Sequence, residues 1–317
     1  MSEYSKSTRT KIKDCFKFLS QEAREFSLGG AVQSLDAVPS ALAFYREFVS
    51  PNKPVVLRGL IDHWPALTKW SPTYIREKMG QQTVTVTLTP NGYADAVHCG
   101  KFVMPDERRM TMGEFLDALD HNDHVPGVPY IQKQNSNLAD EFAPIIDDVE
   151  SDLSLGSEAF GKAPDAVNFW MGDGRAVTSM HRDPYENLYC VVSGWKTFIL
   201  IPPTDQPFVP YVLYQAAKYK LKDSGEFEIE DDTDSGQVPW IDIDPLRPDL
   251  TKYPDFANAH RYEVTVNAGE TLYLPAMWFH HVRQSHGCIA VNYWYDMDYD
   301  IKYNYYKFVE KVMDVVK

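Results

Sequence analysis

The chain has 317 residues, of which 44% are hydrophobic and 13% aromatic, so it carries enough apolar material for a sizeable packed core. Charged residues make up 24%, an ordinary value for a folded protein, which excludes extensive disorder. The formal net charge is −14, from 45 acidic and 31 basic residues, and such a chain has no general attraction for nucleic-acid phosphates. Basic peptides or proteins fit this charge better as partners, although a net charge kept only for solubility explains it equally well.

The sequence predicts neither secretion nor membrane insertion. Its first residues, MSEYSKSTRTKIKD, lack the apolar run and the cleavage site of a secretory signal. No stretch approaches the roughly 18 apolar residues of a membrane-spanning helix. Four scattered cysteines without CxxC pairing are typical of free thiols in a reducing compartment and give no zinc-site signal. We expect a cytoplasmic protein, with a nuclear location equally compatible, and no membrane or nucleic-acid partner.

Helical patterns dominate the first third of the chain. Apolar residues recur at helical intervals from about residue 11 to 26 and again from 41 to 49. The segment PVVLRG, residues 54–59, then predicts a short buried strand. Strict alternation of polar and apolar residues over residues 83–88 predicts a further strand with one solvent-exposed face.

Two helix starts in this region carry recognisable capping residues. Ser71 and Pro72 supply an N-cap and a first-turn proline, and Gly80 closes the predicted helix. Thr111 and Glu114 have the spacing of a capping box before another apolar run. We therefore expect a helix from each of these positions.

From residue 128 onward, short segments rich in β-branched and aromatic residues replace the helical pattern. The predicted strands are VPYIQKQ, AVNFWMG, ENLYCVVSG, KTFILIPP, RYEVTVNAG, ETLYLPA and GCIAVNYWY. Many short strands without alternating helices favour an antiparallel sandwich or jelly roll over a parallel α/β sheet. Tight turns around Gly194 and Gly269 are expected to join strands that pair as hairpins.

These patterns predict a mainly β chain with flanking helices. We expect a helical and mixed region over residues 1–127 that packs on the core, and a jelly-roll domain over residues 128–317. An acidic insert, rich in Pro and Tyr, interrupts the strands from about 210 to 254. After Asp300 helical periodicity resumes, which predicts a carboxy-terminal helix that packs either outside the barrel or against a second subunit in a homodimer.

His181 and Asp183 form an HxD pair. On a strand, residues two apart project to the same face, so both can point into a barrel while Arg182 points away. A histidine and a carboxylate lack only one histidine to make the 2-His-1-carboxylate facial triad of Fe(II) oxygenases. An HxD pair alone is weak evidence, because chance and structural uses account for most such matches.

The third ligand must come from a distant strand, and the segment LYLPAMWFHHVRQS offers His280 and His281. Consecutive strand residues face opposite sides, so only one of the two can face inward. His286 lies in the following turn and is less well placed. For the remaining histidines a surface or hydrogen-bonded structural role is expected: His63, His98, His121, His124 and His260.

Lys196 begins the apolar strand KTFILI, which is expected to pair by a hairpin with the strand after the HxD segment. A lysine inside a barrel is costly unless it meets an anion, so a carboxylate partner would explain its position. A lysine that reaches solvent beside the turn explains the position equally well.

Together these residues resemble the jumonji-C oxygenases, particularly their asparaginyl- and lysyl-hydroxylase branch. The shared pattern is HxD with a lysine 13 positions after the aspartate, then P-x-x-W-x-H and an N-x-W strand. The match runs from about Tyr130 to Trp294. Aligned on P-x-x-W-x-H, the resemblance selects His280 rather than His281. It also implies the family fold, a double-stranded β-helix or cupin-like jelly roll.

The resemblance implies a metal site and a co-substrate site, with Fe(II), 2-oxoglutarate and O₂ as the reactive partners. The implied metal ligands, which are also the catalytic residues, are His181, Asp183 and His280. The positions that match the family's residues around 2-oxoglutarate are Tyr130, Thr178, Asn187, Lys196 and Asn292. Taken alone, each asparagine is more often a structural hydrogen-bonding residue.

Within this branch the sequence is most similar to lysyl hydroxylases of translation-associated GTP-binding proteins, a similarity that extends through FYREFVSPNKP, HWPALTKW and GYADAV. It implies a 2-oxoglutarate-dependent dioxygenase that hydroxylates C-3 of a lysine in such a basic partner. One alternative is a jumonji-C demethylase of N-methyl-lysine or N-methyl-arginine, although the chain has no zinc-cluster pattern and no room for a chromatin-reader module. A histone-tail endopeptidase and a non-catalytic cupin-type binding protein are further alternatives, and the intact triad disfavours the latter.

Overall fold

The computed structural model describes residues 3–120 and 125–316, in which helices precede, interrupt and follow a set of β-sheets. The α-helices of these ranges are α1 (Glu3–Ala23), α2 (Ala41–Phe44), α3 (Ala66–Lys69), α4 (Pro72–Met79), α5 (Met112–Asp120), α6 (Asn137–Glu141), α7 (Ser154–Phe160) and α8 (Ile301–Val316). Short 3₁₀ or π-type helical segments span Arg24–Leu28, Tyr45–Val49, Ala143–Asp148, Pro203–Phe208 and Pro254–Asn258. None of the helices in the described ranges is long and apolar enough to cross a membrane.

The strands of the described ranges cluster mainly after residue 128, as the sequence predicts. They are β1 (Gln33–Leu35), β2 (Val55–Arg58), β3 (Thr83–Thr89), β4 (Tyr93–Ala94), β5 (Ala96–His98), β6 (Lys101–Met104), β7 (Asp106–Thr111), β8 (Val128–Ile131), β9 (Ala166–Gly172), β10 (Val177–His181), β11 (Tyr185–Ser193), β12 (Trp195–Ile201), β13 (Tyr211–Leu221), β14 (Phe227–Asp231), β15 (Gln237–Ile241), β16 (Tyr262–Asn267), β17 (Glu270–Leu274), β18 (Phe279–Gln284) and β19 (Cys288–Asp296).

Two facing sheets form the barrel. The first has nine strands in the order β1-β2-β17-β11-β19-β9-β8-β3-β7, and the second has five in the order β16-β12-β18-β10-β4. Buried side chains of both sheets pack between them, including Tyr189 and Leu272 from the first and Phe198 and Val282 from the second. The predicted mainly β jelly roll with helices at both ends is confirmed.

The capping residues form the predicted contacts. Ser71 Oγ accepts a hydrogen bond from the backbone N–H of Tyr74, 3.2 Å away, at the start of α4. Thr111 Oγ1 accepts from the N–H of Glu114 at 3.2 Å, and Glu114 Oε2 accepts in return from the N–H of Thr111 at 2.7 Å. These reciprocal bonds satisfy amide groups that the first turn of a helix leaves without intrahelical partners.

The glycine turns do not close hairpins, so that prediction is wrong. Gly194 (φ 76°) leads from β11 in the first sheet to β12 in the second, and Gly269 (φ 86°) leads from β16 back to β17. In each turn the chain crosses between the facing sheets. The hydrogen-bonded neighbours of β12 are therefore β16 and β18, not the strand after the HxD segment.

Strands from the first third and from the acidic insert also join the sheets. β2 pairs with β17, and β3 pairs with β8, so strands from both sides of residue 127 share the first sheet. The insert forms β13, β14 and β15, and β13 pairs in parallel with β6 to build a third sheet. The sequence patterns did not predict these three strands or β4–β7.

Candidate active site

His181, Asp183 and His280 converge inside the barrel. Their ligand atoms all lie within 4.8 Å of one another. His181 ends β10 and lies opposite His280 on β18, which brings two distant histidines together. Asp183 follows β10 instead of continuing it, and the register shifts between Thr178 and His181. The convergence predicted from the sequence is therefore present, but its aspartate lies just beyond the strand end.

Hydrogen bonds fix the orientation of both imidazole rings. His181 Nδ1 donates to the carbonyl oxygen of Ser179 at 2.8 Å, and His280 Nδ1 donates to that of Trp278 at 3.1 Å. The Nε2 atom of each ring then lies 3.5 Å from Asp183 Oδ2. In a neutral ring, a donating Nδ1 leaves a lone pair on Nε2, which is the state that a metal ligand requires. The donor set is therefore two imidazole nitrogens and one carboxylate oxygen.

The electrostatics of the cluster suit a divalent cation. Burial raises the pKa of Asp183, but the adjacent His181 and His280 outweigh this and hold it below its usual range. Burial, with the neighbouring His181, lowers the pKa of His280 to about 4. Near neutral pH the cluster therefore supplies an ionised carboxylate and a neutral imidazole, as metal binding needs.

His281 has a different environment from the one expected. It is 2% exposed, and burial lowers its pKa to about 4. Neither of its ring nitrogens has a hydrogen-bond partner among the described residues. His281 thus faces away from the His181–Asp183–His280 cluster, as strand alternation predicts, but it is buried because β18 is covered on both faces. In register it lies opposite Ile199, whereas His280 lies opposite Leu200.

Lys196 lies inside the barrel and does not reach solvent. It is 1% exposed, so the interpretation of a lysine at the solvent edge is wrong. Its Nζ donates to Tyr130 Oη at 3.0 Å and to Gln284 Oε1 at 2.5 Å. The rings of Tyr130, Trp170 and Tyr189 have their centroids 5.3–5.9 Å from the same nitrogen. No carboxylate of the described residues forms an ion pair with it, so this ammonium has only neutral partners.

The other predicted co-substrate residues lie at or near the His181–Asp183–His280 cluster. Thr178, Asn187 and Asn292 line one pocket together with the three predicted ligands. Asn292 is fully buried; its Oδ1 accepts from Trp170 Nε1 at 2.7 Å, and its Nδ2 donates to Asn187 Oδ1 at 3.1 Å. The two asparagines therefore belong to one hydrogen-bond network in the pocket wall.

Sequence reasoning missed two residues of this environment. Gln284 shares strand parity with His280 on β18, so alternation could have identified it as a residue facing the barrel interior. Trp240 comes from the insert, and its ring stacks at 9° to that of His181 with centroids 6.3 Å apart. No sequence signal connects Trp240 with the site, because its position follows from tertiary packing of the insert.

The remaining histidines of the described ranges lie away from the cluster. His63 Nε2 lies 3.2 Å from Glu150 Oε2, and His98 is exposed. His260 Nε2 is buried without a hydrogen-bond partner among the described residues. The expectations for His121 and His124 fall outside the described residues.

A jelly-roll barrel that encloses a His–Asp–His cluster and a buried lysine defines a cupin-like oxygenase architecture. Comparison with known proteins agrees with this class. A family model described as a cupin-like domain matches residues 41–301. The human protein named bifunctional peptidase and (3S)-lysyl hydroxylase JMJD7 is 52% identical over 92% of this chain and 92% of its own length.

Two further relatives have similar coverage. Lysine-specific demethylase JMJ32 of Arabidopsis thaliana is 40% identical over 92% of this chain and 90% of its own length. JmjC domain-containing protein E of Dictyostelium discoideum is 37% identical over 94% of this chain and 93% of its own length. The chain belongs to the JmjC family of cupin-like oxygenases.

Proposed function

We propose that this protein is an Fe(II)- and 2-oxoglutarate-dependent lysyl hydroxylase. The observation that carries the proposal is the joint presence of the His181–Asp183–His280 cluster and the buried Lys196 in one barrel. Two neutral imidazoles and a carboxylate are the facial ligand set of non-haem Fe(II) oxygenases, which leaves positions for a co-substrate. These three residues would hold the iron.

Lys196 would bind the far carboxylate of 2-oxoglutarate. A buried ammonium with only neutral partners is strongly stabilised by an anion. In the strand register Lys196 lies opposite Gln284, four residues from His280 on β18, which corresponds to about 13 Å along the strand. An extended dicarboxylate can lie along this direction, with one end near the metal ligands and the other near the lysine. Tyr130 Oη and the Thr178 hydroxyl would complete the binding of the far carboxylate.

When bound, iron would couple two reactions. O₂ oxidatively decarboxylates 2-oxoglutarate to succinate and CO₂, and a substrate C–H bond is hydroxylated. The protein's own residues hold the metal ligands in one orientation, through Ser179 and Trp278, and neutralise the co-substrate carboxylate. The barrel core excludes bulk water from the metal site and from the site of the co-substrate carboxylate. No acid–base pair of the chain is needed for this reaction.

The proposed substrate rests on the name of a relative and on the net charge of this chain. The human relative is named a (3S)-lysyl hydroxylase, and this chain carries a net charge of −14. Both support a lysine in a basic protein, hydroxylated at C-3. A GTP-binding protein related to translation factors is the partner that we propose.

The test combines turnover with metal content. Wild-type protein loaded anaerobically with Fe(II) and 2-oxoglutarate should form succinate on exposure to O₂, and candidate lysyl peptides should gain 16 Da. Asp183→Ala should lose bound iron and turnover, because two histidines alone cannot hold Fe(II) facially. His281→Ala is the matched control, since it removes an adjacent buried histidine outside the cluster and should retain iron. Undiminished turnover by Asp183→Ala would exclude the proposal.

Demethylation is the second candidate, favoured by the name of the Arabidopsis relative. The same mass-spectrometric assay separates the two reactions. Hydroxylation adds oxygen to an unmethylated lysine, whereas demethylation shortens a methylated lysine by one methyl group and releases formaldehyde. If formaldehyde forms without any 16 Da product, the protein is a demethylase and not a hydroxylase.

A further inference from the structure

Asp95 occupies an unusual position beside the metal-ligand cluster. It directly follows β4, which pairs in parallel with β10 so that Ala94 lies opposite Thr178. Its φ of 50° is in the left-handed region, where aspartate and asparagine are tolerated better than most other residues. Ser179 Oγ donates to its carbonyl oxygen at 2.6 Å and accepts from Trp240 Nε1 at 3.3 Å. The backbone of Asp95 is thus bound to the strand of His181, and the same serine hydroxyl contacts the insert.

The carboxyl group of Asp95 is partly buried and has no counter-ion among the described residues. No described residue donates a hydrogen bond to it or forms an ion pair with it. Burial raises its pKa to about 6, with smaller effects from His181 and the exposed Glu107. An acidic group in such a place is stabilised when a cation arrives.

The site itself limits where a substrate cation can bind. In a lysine oxidised at C-3, the ammonium nitrogen is four bonds from the reacting carbon, about 5 Å away for bonds of about 1.5 Å. Its partner must therefore lie in the wall of the metal site and not on the distant surface. The backbone carbonyl of Asp95 is hydrogen-bonded to Ser179, two residues before His181, and both Asp183 and Asp95 interact electrostatically with His181. Since Asp183 is needed for the metal, Asp95 is left for the substrate.

We propose that Asp95 binds the ε-ammonium group of the substrate lysine and thereby determines the preference for a cationic side chain. The inference rests on the proposed lysyl hydroxylase function and adds the residue that selects its substrate. Trp240, stacked near His181 and hydrogen-bonded to Ser179, forms an apolar wall at the same place. An aromatic face suits the methylene chain of a lysine whose charged end meets a carboxylate.

The experiment compares two pools of randomised peptides that differ only at the central position, lysine in one and norleucine in the other. Norleucine has the same carbon chain without the ammonium group. Wild-type protein should hydroxylate the lysine pool with the higher kcat/KM. In Asp95→Asn that value should fall roughly ten- to a hundredfold, the usual effect of losing one charge-assisted hydrogen bond, whereas the norleucine pool should change less than about twofold. Asparagine keeps the size and tolerates the left-handed backbone, so the variant should fold.

Glu107→Gln is the control, since it removes an exposed acidic group near Asp95 and should keep the wild-type preference for lysine. An unchanged preference in Asp95→Asn would overturn the inference. An equal loss with both pools would also overturn it, because the residue would then act on the metal centre and not on the ammonium group. Absence of any 16 Da product with wild-type protein and either pool identifies failure of the proposed function itself.

Discussion

The ammonium of Lys196 is enclosed by Tyr130 Oη, the Gln284 amide oxygen and three aromatic rings. Among the described residues it has no anionic partner. Aromatic faces attract a cation but replace little of its hydration, so binding of a carboxylate should release substantial free energy here. The geometry suits a lysine whose partner is a ligand and not another side chain.

We predict that Lys196→Ala raises the 2-oxoglutarate concentration needed for half-maximal succinate formation roughly ten- to a hundredfold. The reason is the loss of a charge-assisted bond of about 1.5–3 kcal/mol. Iron content should remain near that of the wild type. Lys220→Ala removes a surface lysine paired with Glu230 and serves as the control. A 2-oxoglutarate titration that coincides with the wild type would show that Lys196 has no part in co-substrate binding.

Single residues were predictable where their type and spacing carry the chemistry. His181, Asp183 and His280 follow from the HxD pair and the distant P-x-x-W-x-H pattern, and the structure brings them together. Lys196 was ambiguous, because its burial depends on the facing sheet and not on its own strand. Asp95 carries no local signal at all. Its place beside His181 arises from a parallel pairing of two strands that are far apart in the sequence.

At the scale of elements, α8 contacts the segment that carries two of the predicted ligands. Arg182 lies between His181 and Asp183, and its Nη2 forms an ion pair with Glu310 Oε1 on α8 at 3.1 Å. Its guanidinium carbon also lies 4.8 Å from the ring centroid of Tyr306. The carboxy-terminal helix therefore restrains the backbone of the HxD segment from outside the barrel.

We predict that Glu310→Gln weakens Fe(II) binding roughly fivefold, because loss of a partly exposed ion pair costs about 1 kcal/mol and loosens the HxD segment. Anaerobic Fe(II) titration measures this, and thermal unfolding should shift by only a few degrees. Asp314→Asn, an exposed acidic position on the same helix, is the control. If Glu310→Gln lowers thermal stability without any change in iron affinity, the contact is structural only.

The sequence predicted the strands more reliably than it predicted which strands pair with each other. Alternation and β-branched residues identified β9, β11, β12 and β19, because these signals are local. Pairing is not local: the turn at Gly194 looks the same whether it closes a hairpin or crosses between sheets. The crossing could not be deduced from the turn residues, and the hairpin prediction failed for that reason.

At the scale of the whole molecule, α8 has an apolar stripe on its outer side. Ile301, Tyr305, Phe308 and Val315 are 64–66% exposed, and their spacing places them on one face of the helix. The adjacent face, which includes Val309 and Met313, packs on the rest of the protein. An exposed apolar stripe of this kind is typical of a surface that pairs with another copy.

We predict that the protein forms a homodimer through this stripe and that Phe308→Glu yields monomers, because a charge in an apolar interface is poorly solvated. Size-exclusion chromatography with light scattering at several protein concentrations measures the mass. Lys302→Glu introduces the same charge on another face of α8 and should leave the dimer intact. Wild-type protein that stays monomeric at every concentration would contradict the prediction.

The order of strands in the first sheet also governs how the chain can reach its native state. β2 pairs with β17, and the Arg58–Glu270 ion pair across them joins residues 212 positions apart. During synthesis on the ribosome, β2 therefore emerges long before its partner exists. Sheets closed by such distant pairings fold slowly, and their unpaired strands are exposed to aggregation meanwhile. We infer that the yield of native protein depends on protection of the nascent amino-terminal third until β17 has been translated.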